Sequence, residues 1–131
     1  MVGLRLFQED LATEPFWMLV ACQLVNQTPW VRSEKVFHAL RRLWSTPEDL
    51  ACADACQVYE VVRQLGLGRR RAGLVGKLAR RWLSNPPTEA QDVLKFPGCG
   101  SYAADSWGIF VERDRSVIPS DRKLIEFLER S

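Results

Sequence analysis

The sequence predicts an all-helical domain of orthogonally packed helices, and three observations support this fold class. Apolar residues recur at three- and four-residue intervals along most of the chain, which is the spacing of one helix face. No segment alternates apolar and polar residues as a half-buried strand does. The chain has 131 residues, 47% of them hydrophobic, and five tryptophans, which is enough for one core. We therefore expect residues 1–131 to form a single domain without a sheet.

Amphipathic helices account for the first half of the chain. The apolar positions of two of them are Phe16, Leu19, Val20 and Leu24, and Val36, Phe37, Leu40 and Leu43. Thr46 supplies an N-cap hydroxyl before Pro47 and two acidic residues, so a third helix is predicted to start there. Another helix runs from about Asp54 to a stop at Leu65-Gly66.

The second half is predicted to be helical as well. Gly66-Leu67-Gly68 precedes a basic helix from Arg69 to Leu83, in which Leu74, Leu78 and Trp82 form the expected buried stripe. Asn85-Pro86-Pro87 breaks the chain before a short helix over Thr88 to Lys95. One further helix covers residues 101–111, and the last begins near Ser120.

Composition limits the classes of function. The formal net charge is +2, and the basic residues are concentrated in the second half, where a polyanion is expected to bind. No stretch is long and apolar enough to span a membrane, and residues at the N-terminus do not show the basic start and apolar run that are typical of a signal peptide, so we expect none. The four cysteines, Cys22, Cys52, Cys56 and Cys99, lack metal-site spacing, so we expect reduced core thiols and no metal. These features predict a soluble intracellular protein, located in the cytoplasm or nucleoid of a prokaryote or phage, or in a nucleus.

Phe96-Pro97-Gly98-Cys99-Gly100 joins two predicted helices and is the most informative segment. Two glycines around one apolar residue make a tight hairpin whose backbone can approach a ligand closely. Exposed N–H groups beside a positive helix end suit a phosphate oxygen. The alternative is an ordinary corner between two helices.

The pattern Leu94-x-x-Pro97-Gly98-x-Gly100-x-Tyr102, followed by Asp121, resembles the helix-hairpin-helix (HhH-GPD) DNA glycosylases, the superfamily that includes endonuclease III. Asp121 follows the hairpin at about the interval at which that family places its essential aspartate. The resemblance implies an endonuclease III-like helical domain that acts on double-stranded DNA.

Within that superfamily the chain is most similar to the glycosylase domain of the methyl-CpG-binding-domain mismatch repair enzymes, which remove thymine or uracil opposite guanine. The matching segments span almost the whole chain: Phe7-Gln8-Glu9, Phe16-Trp17-x-Leu19, Asn26-Gln27-Thr28, Leu65-Gly66-Leu67, Arg71-Ala72, Asp105-Ser106 and Pro119-Ser120-Asp121-Arg122-Lys123-Leu124. Two positions differ, since that branch is expected to have arginine at Gln27 and histidine at Arg122. In having glutamine at position 27, the chain instead resembles endonuclease III.

Asp121 is the candidate catalytic residue. Cleavage of an N-glycosidic bond develops positive charge on the sugar, which a nearby carboxylate stabilises while it orients or deprotonates a water. The alternative is that Asp121, or Ser120 beside it, only caps the last helix. Asp114 is a competing acid, but it lies between two arginines and has the character of a surface residue.

Tyr102 and Gln8 are the candidate residues of the base pocket. Lyase-active members of the superfamily have a Schiff-base lysine where this chain has Tyr102, and a phenol cannot form an iminium. The resemblance implies that the Tyr102 ring and the Gln8 amide line the pocket for a flipped base. The alternatives are a core aromatic for Tyr102 and a surface amide for Gln8.

The resemblance also implies the DNA contacts. It places Gln27 and Leu67 at the two loops that fill the gap left by the flipped base, although Leu67 could instead be a hydrophobic contact at a helix end. The remaining DNA-binding candidates are Arg71, Gly98, Gly100 and Lys123. Relatives with an iron–sulfur cluster hold it with cysteines after the aspartate, and no cysteine follows Asp121, so we expect no cofactor.

The sequence therefore predicts a monofunctional, monomeric DNA glycosylase that flips a mismatched or damaged base, thymine or uracil opposite guanine above all, and hydrolyses its glycosidic bond. Two alternatives stay open. One is a glycosylase for another modified base, and the other is a non-catalytic helix-hairpin-helix module that binds DNA. His38, the only histidine, matches no catalytic position.

Overall fold

The computed structural model describes residues 5–26, 28–66 and 68–131, which fold into nine α-helices without a strand. The helices are α1 (Phe7–Leu11), α2 (Pro15–Val25), α3 (Trp30–Leu43), α4 (Pro47–Ala51), α5 (Ala55–Val62), α6 (Arg69–Ser84), α7 (Ala90–Val93), α8 (Ser101–Ser106) and α9 (Arg122–Arg130). A 3₁₀ turn, Arg63–Leu65, extends α5, and a π-helical turn, Trp107–Val111, extends α8. No helix in the described ranges is both long and apolar enough to cross a bilayer.

Helix α2 forms the centre of the core. Eight of its residues are buried, and they lie on every side of the helix. Met18, Leu19 and Val20 have no exposed surface at all. A helix that is apolar all round is stable only when other elements cover each of its faces. Helices α1, α3, α6 and α8 supply that cover.

Aromatic side chains fill the space between α1, α2 and α3. Trp30 stacks on Phe7 with a ring-centroid distance of 4.6 Å. Phe37 forms edge-to-face contacts with Trp17 and Trp30, at ring-centroid distances of 5.9 and 5.3 Å. Edge-to-face and stacked pairs at such distances are favourable beyond the area they bury. This cluster fixes α1, which carries Gln8, against the core.

Helix α6 packs against α2, α4 and α5, but its buried face differs in part from the prediction. Leu78 is fully buried as expected, whereas Leu74 and Trp82 are only half-buried. The buried positions beside Leu78 are Ala72, Val75 and Ala79. The reason is that α6 is covered on two adjoining sides, so the smaller residues between the predicted positions also face the core.

Helix ends follow the local chemistry of the sequence. The Thr46 hydroxyl accepts a hydrogen bond from the Asp49 N–H at 3.0 Å, as predicted for an N-cap. Asp54 caps α5 through the N–H groups of Cys56 and Gln57. Helix α1 was not predicted, because five residues are too few for a periodic pattern to show. Its start is stabilised by Glu9, whose carboxylate accepts the Leu6 N–H at 2.7 Å.

The prediction of four core thiols is wrong for two of them. Cys22 is buried in α2 and Cys99 is partly buried in the hairpin, but Cys52 and Cys56 are exposed. Cys52 directly follows α4 and Cys56 lies in the first turn of α5, where the chain turns at the surface. All four are free thiols.

Helix α9 is anchored by a single fully buried side chain. Leu124 has no exposed surface, while the other described residues of the helix are half-buried or exposed. The Arg130 guanidinium also lies 3.8 Å from the Glu9 carboxylate of α1. Since this pair is partly exposed, burial of Leu124 contributes more to the position of α9.

Replacement of Leu124 by alanine should lower the free energy of unfolding by about 2–5 kcal/mol, because it leaves a cavity beneath α9. Chemical denaturation monitored by tryptophan fluorescence measures the change. Glu126→Ala, on the exposed side of the same helix, is the control and should stay within about 0.5 kcal/mol of the parent protein. Equal stability of Leu124→Ala and the parent would show that α9 is held by other contacts.

Candidate active site and nucleic-acid interface

A cavity of about 430 Å³ lies between α1, the end of α2, the start of α8 and the start of α9. Gln8, Tyr102 and Asp121 all line it. These three residues are far apart in the sequence and were each predicted as site residues. Arg5, Arg122 and Lys123 line the same cavity, so its surroundings are rich in positive charge.

The Gln8 side chain is held in one orientation deep in this site. Its exposed fraction is 1%, so the surface-amide alternative is wrong. The Nε2 atom donates to the Tyr102 hydroxyl at 2.6 Å and to the Ser106 Oγ at 3.2 Å. The Ser106 hydroxyl in turn donates to the Tyr102 carbonyl at 2.9 Å. Gln8 Oε1 is buried without a hydrogen-bond partner in the part of the chain that the structure describes.

Tyr102 lies in the first turn of α8 and is half-buried. Because its hydroxyl oxygen accepts the Gln8 amide proton, the phenolic proton is left to donate to another acceptor. Burial raises the pKa of Tyr102, and the nearby Cys22 and Asp121 raise it further, while the hydrogen bond from Gln8 acts in the opposite direction. The phenol is therefore a neutral hydrogen-bond donor at physiological pH.

Asp121 is the N-cap of α9 and also lines the cavity. One carboxylate oxygen, Oδ2, accepts the Leu124 N–H at 3.1 Å. Capping uses one of the two oxygens, so the residue can cap the helix and face the cavity at once. The competing acid Asp114 is exposed, and hydrogen bonds from Ser116 lower its pKa. Asp114 is not among the residues of the cavity wall.

A second cavity of about 540 Å³ adjoins the hairpin. Its wall contains Arg70 and Arg71 of α6 together with Gly98, Cys99 and Gly100 of the hairpin. Asn26 lines both cavities, so they are neighbours. Gly98 has a φ of 70°, in the left-handed region that favours glycine. Of the predicted DNA-binding residues that the structure describes, Arg71, Gly98 and Gly100 line the second cavity and Lys123 lines the first.

The two predicted insertion residues, Gln27 and Leu67, lie outside the described residues. Arg69, two residues after Leu67, stacks its guanidinium over the Tyr59 ring, with 4.5 Å between the guanidinium carbon and the ring centroid. Arg70 and Arg71 line the second cavity. His38 is exposed and lies 3.5 Å from Glu34, away from both cavities.

Sequence reasoning missed three polar residues of the site. Ser106 was quoted as part of a motif without a role, and it supports Gln8 from one turn after Tyr102. Gln23, in the last turn of α2, and Asn26, the residue directly after this helix, contact the hairpin. A polar residue among the apolar residues of α2 was the available signal for Gln23.

Two of the four thiols are removed from solvent: Cys22 is buried in α2, and Cys99 is partly buried in the wall of the second cavity. Burial raises the pKa of Cys22 and raises that of Cys99 to about 12. Both are therefore uncharged at neutral pH. No cluster of three or more potential metal ligands occurs within residues 5–26, 28–66 and 68–131.

An all-helical fold with a hairpin and a cavity lined by an aspartate defines a class of nucleic-acid repair proteins, and comparison with known families agrees. The model of the HhH-GPD superfamily of base excision DNA repair proteins matches residues 20–131. The chain belongs to this family.

Among individual relatives, a methyl-CpG-binding domain protein 4-like protein of Arabidopsis thaliana is 30% identical over 122 residues, covering 92% of this chain and 26% of the relative. Endonuclease III of Thermotoga maritima is 27% identical over 97 residues, covering 71% of this chain and 46% of the relative. A thymine-DNA glycosylase of Aeropyrum pernix is 30% identical over 122 residues, covering 89% of this chain and 54% of the relative. The chain thus spans between about a quarter and about half the length of these relatives.

The solved structure of a thermostable thymine-DNA glycosylase is similar in fold. The TM-score is 0.71 at 19% identity, and the match covers 79% of this chain and 49% of that one. This similarity confirms the endonuclease III-like, all-helical architecture predicted from the sequence.

The raised pKa of Tyr102 predicts its behaviour in alkali. The protein has two tyrosines. An exposed phenol has an ordinary pKa of about 10, so the Tyr102 phenolate should form only well above pH 10. Because the folded state retains this proton longer than the unfolded state, its contribution to stability is complete below about pH 10 and is lost as the pH rises further. Phenolate absorbance during a pH titration measures the pKa of Tyr102.

Tyr102→Phe is the control for that titration. It should abolish the late step in phenolate absorbance. A late step of full amplitude in Tyr102→Phe would show that the step does not arise from Tyr102.

Proposed function

We propose that this chain is a monofunctional DNA glycosylase, acting as a single monomeric domain, that removes thymine or uracil opposite guanine from double-stranded DNA. The observation that carries the proposal is the meeting of Gln8, Tyr102 and Asp121 in one cavity. Membership of the base excision repair family supports the reaction class. Relatives named thymine-DNA glycosylase and thymine/uracil-DNA glycosylase support the choice of base.

Base recognition in this proposal depends on Tyr102 and Gln8. A base inside a duplex cannot reach an enzyme pocket, so the nucleotide must be extruded from the helix. The free phenolic proton of Tyr102 is a suitable donor to a carbonyl oxygen, and thymine and uracil each carry two such oxygens. The cavity, at about 430 Å³, is large enough for one flipped pyrimidine.

Asp121 would supply the chemistry. A water oxygen forms a bond to the sugar C1′, the bond from C1′ to the base nitrogen breaks, and its electron pair leaves with the base. The positive charge that develops on the sugar is stabilised by the carboxylate, which also receives the proton released by the water. The departing base takes up a proton, so the products are a free base and an intact abasic strand.

Residues in the wall of the second cavity and at the edge of the first cavity would bind the phosphates. Arg71 and the glycines Gly98 and Gly100 would hold one stretch of backbone, and Lys123 would contact the strand that carries the flipped nucleotide. Gln27 and Leu67 would fill the space that the base vacates, as the resemblance implies.

A panel of duplexes tests the reaction and the target base. Each contains one T:G, U:G, 5-hydroxymethyluracil:G, A:8-oxoguanine or undamaged pair, and strand scission is scored with and without hot alkali. We expect scission at T:G and U:G only after alkali, since Tyr102 occupies the position of the Schiff-base lysine. Enzyme-dependent nicking without alkali, trapped by borohydride as a covalent adduct, would show that an amine of this chain acts as nucleophile.

Asp121→Asn tests the catalytic role while preserving the helix cap. Asparagine can still accept the Leu124 N–H, so stability should be almost unchanged. Loss of the charge should reduce the single-turnover rate by about 10²–10³-fold or more. DNA affinity at fixed salt should be kept or rise, because a negative charge near the phosphates is gone.

Asp114→Asn is the matched control, since it removes an exposed carboxylate from the same loop. It should excise at the parental rate. If Asp121→Asn also does so, the acid is only a cap and the catalytic proposal fails. If the parent protein binds duplexes but excises no base of the panel, the chain is a DNA-binding module.

A further inference from the structure

Gln23 makes two hydrogen bonds that join three separate elements. Its side-chain Nε2 donates to the Pro97 carbonyl of the hairpin at 2.6 Å and to the Leu74 carbonyl of α6 at 3.0 Å. The residue itself belongs to α2, the centre of the core. One amide group therefore holds the hairpin and α6 to the same buried helix.

The hairpin backbone fits closely around this amide. A Cβ atom added to Gly98 would lie 2.9 Å from Gln23 Cγ and 3.0 Å from Nε2, closer than side chains approach in folded proteins. Asn26, three residues after Gln23 and directly after the end of α2, donates from Nδ2 to the Gly98 carbonyl at 2.7 Å. Two successive hairpin carbonyls are thus drawn toward α2.

The direction of these carbonyls determines where a hairpin N–H points. Pro97 C=O and Gly98 N–H belong to the same trans peptide unit, in which the two groups point in opposite directions. Because Gln23 holds the Pro97 carbonyl, the Gly98 N–H is directed away from Gln23. This N–H donates to no acceptor within the described residues.

The hydrogen bond from Gln23 to the Leu74 carbonyl sets the distance between α6 and the hairpin. Leu74 lies one turn after Arg70 and Arg71 on α6, and both arginines line the same cavity as Gly98. The bond to the Leu74 carbonyl therefore fixes α6, and with it these two cations, relative to the hairpin. Simultaneous contact with phosphates of one strand requires such a fixed distance.

We propose that Gln23 is a positioning residue for DNA binding, which orients the Gly98 N–H toward a phosphate and sets the distance from the hairpin to Arg71. The inference rests on the proposed function only in that the ligand is duplex DNA. It assigns Gln23 no contact with DNA.

Gln23→Met tests this proposal, because methionine has nearly the same length and no N–H donor. With undamaged duplex DNA as the probe, loss of one well-oriented bond to a phosphate should raise Kd by about 10-fold or more. The slope of log Kd against log salt concentration should stay unchanged, since no cation is removed. Arg71→Gln should instead reduce that slope by about one.

Gln57→Met is the matched control, because Gln57 is exposed on α5 and lies outside the wall of the second cavity. It should bind like the parent protein. A purely structural role of Gln23 would lower the melting temperature of Gln23→Met and leave Kd unchanged at temperatures where the variant is folded, which overturns the proposal.

Backbone amide NMR of the parent protein keeps the proposal testable if Gln23→Met does not fold. Addition of undamaged duplex should shift the Gly98 amide resonance and slow its hydrogen exchange. An unaffected Gly98 amide in the saturated complex overturns the proposal. If Gln23→Met binds duplex DNA more weakly than the parent protein and the parent excises no base, the proposed function is contradicted and the role of Gln23 is supported.

Discussion

Burial of α2 on every side is the constraint on which the rest of the structure depends. The helix is too apolar to face solvent, so α1, α3, α6 and α8 must each cover part of it. Those neighbours include the helices that carry Gln8, Arg71 and Tyr102. The packing of one hydrophobic helix thus brings together parts of the chain that are distant in sequence.

Few polar side chains are buried inside this packing. Gln8, Ser106 and Tyr102 form a connected network in which the amide and both hydroxyls take part. A buried polar group costs stability unless it is hydrogen-bonded, so such a network fixes side-chain orientation as well as position. Within the described residues, Gln8 Oε1, Arg81 Nε and Trp107 Nε1 are buried without a hydrogen-bond partner, and of these Gln8 Oε1 belongs to the candidate site.

Asp121 shows how a structural role and a chemical role can share one side chain. As an N-cap it satisfies the Leu124 N–H, and Leu124 is the residue that anchors α9 in the core. The cap therefore fixes the carboxylate at the cavity wall.

The sequence by itself determined the helical class, several helix ends and the hairpin, because these depend on local periodicity, capping residues and glycine positions. The Thr46 cap and the stop at Gly66 are examples, and both follow from contacts within a few residues. The resemblance to a family supplied Gln8, Tyr102 and Asp121 as candidates. Only the tertiary structure brought these residues into one cavity, buried the Gln8 amide and revealed Gln23. It also exposed Cys52 and Cys56 and shifted the buried face of α6. Each of these depends on which neighbour covers a given helix face, and a periodic pattern along one segment contains no information about that neighbour.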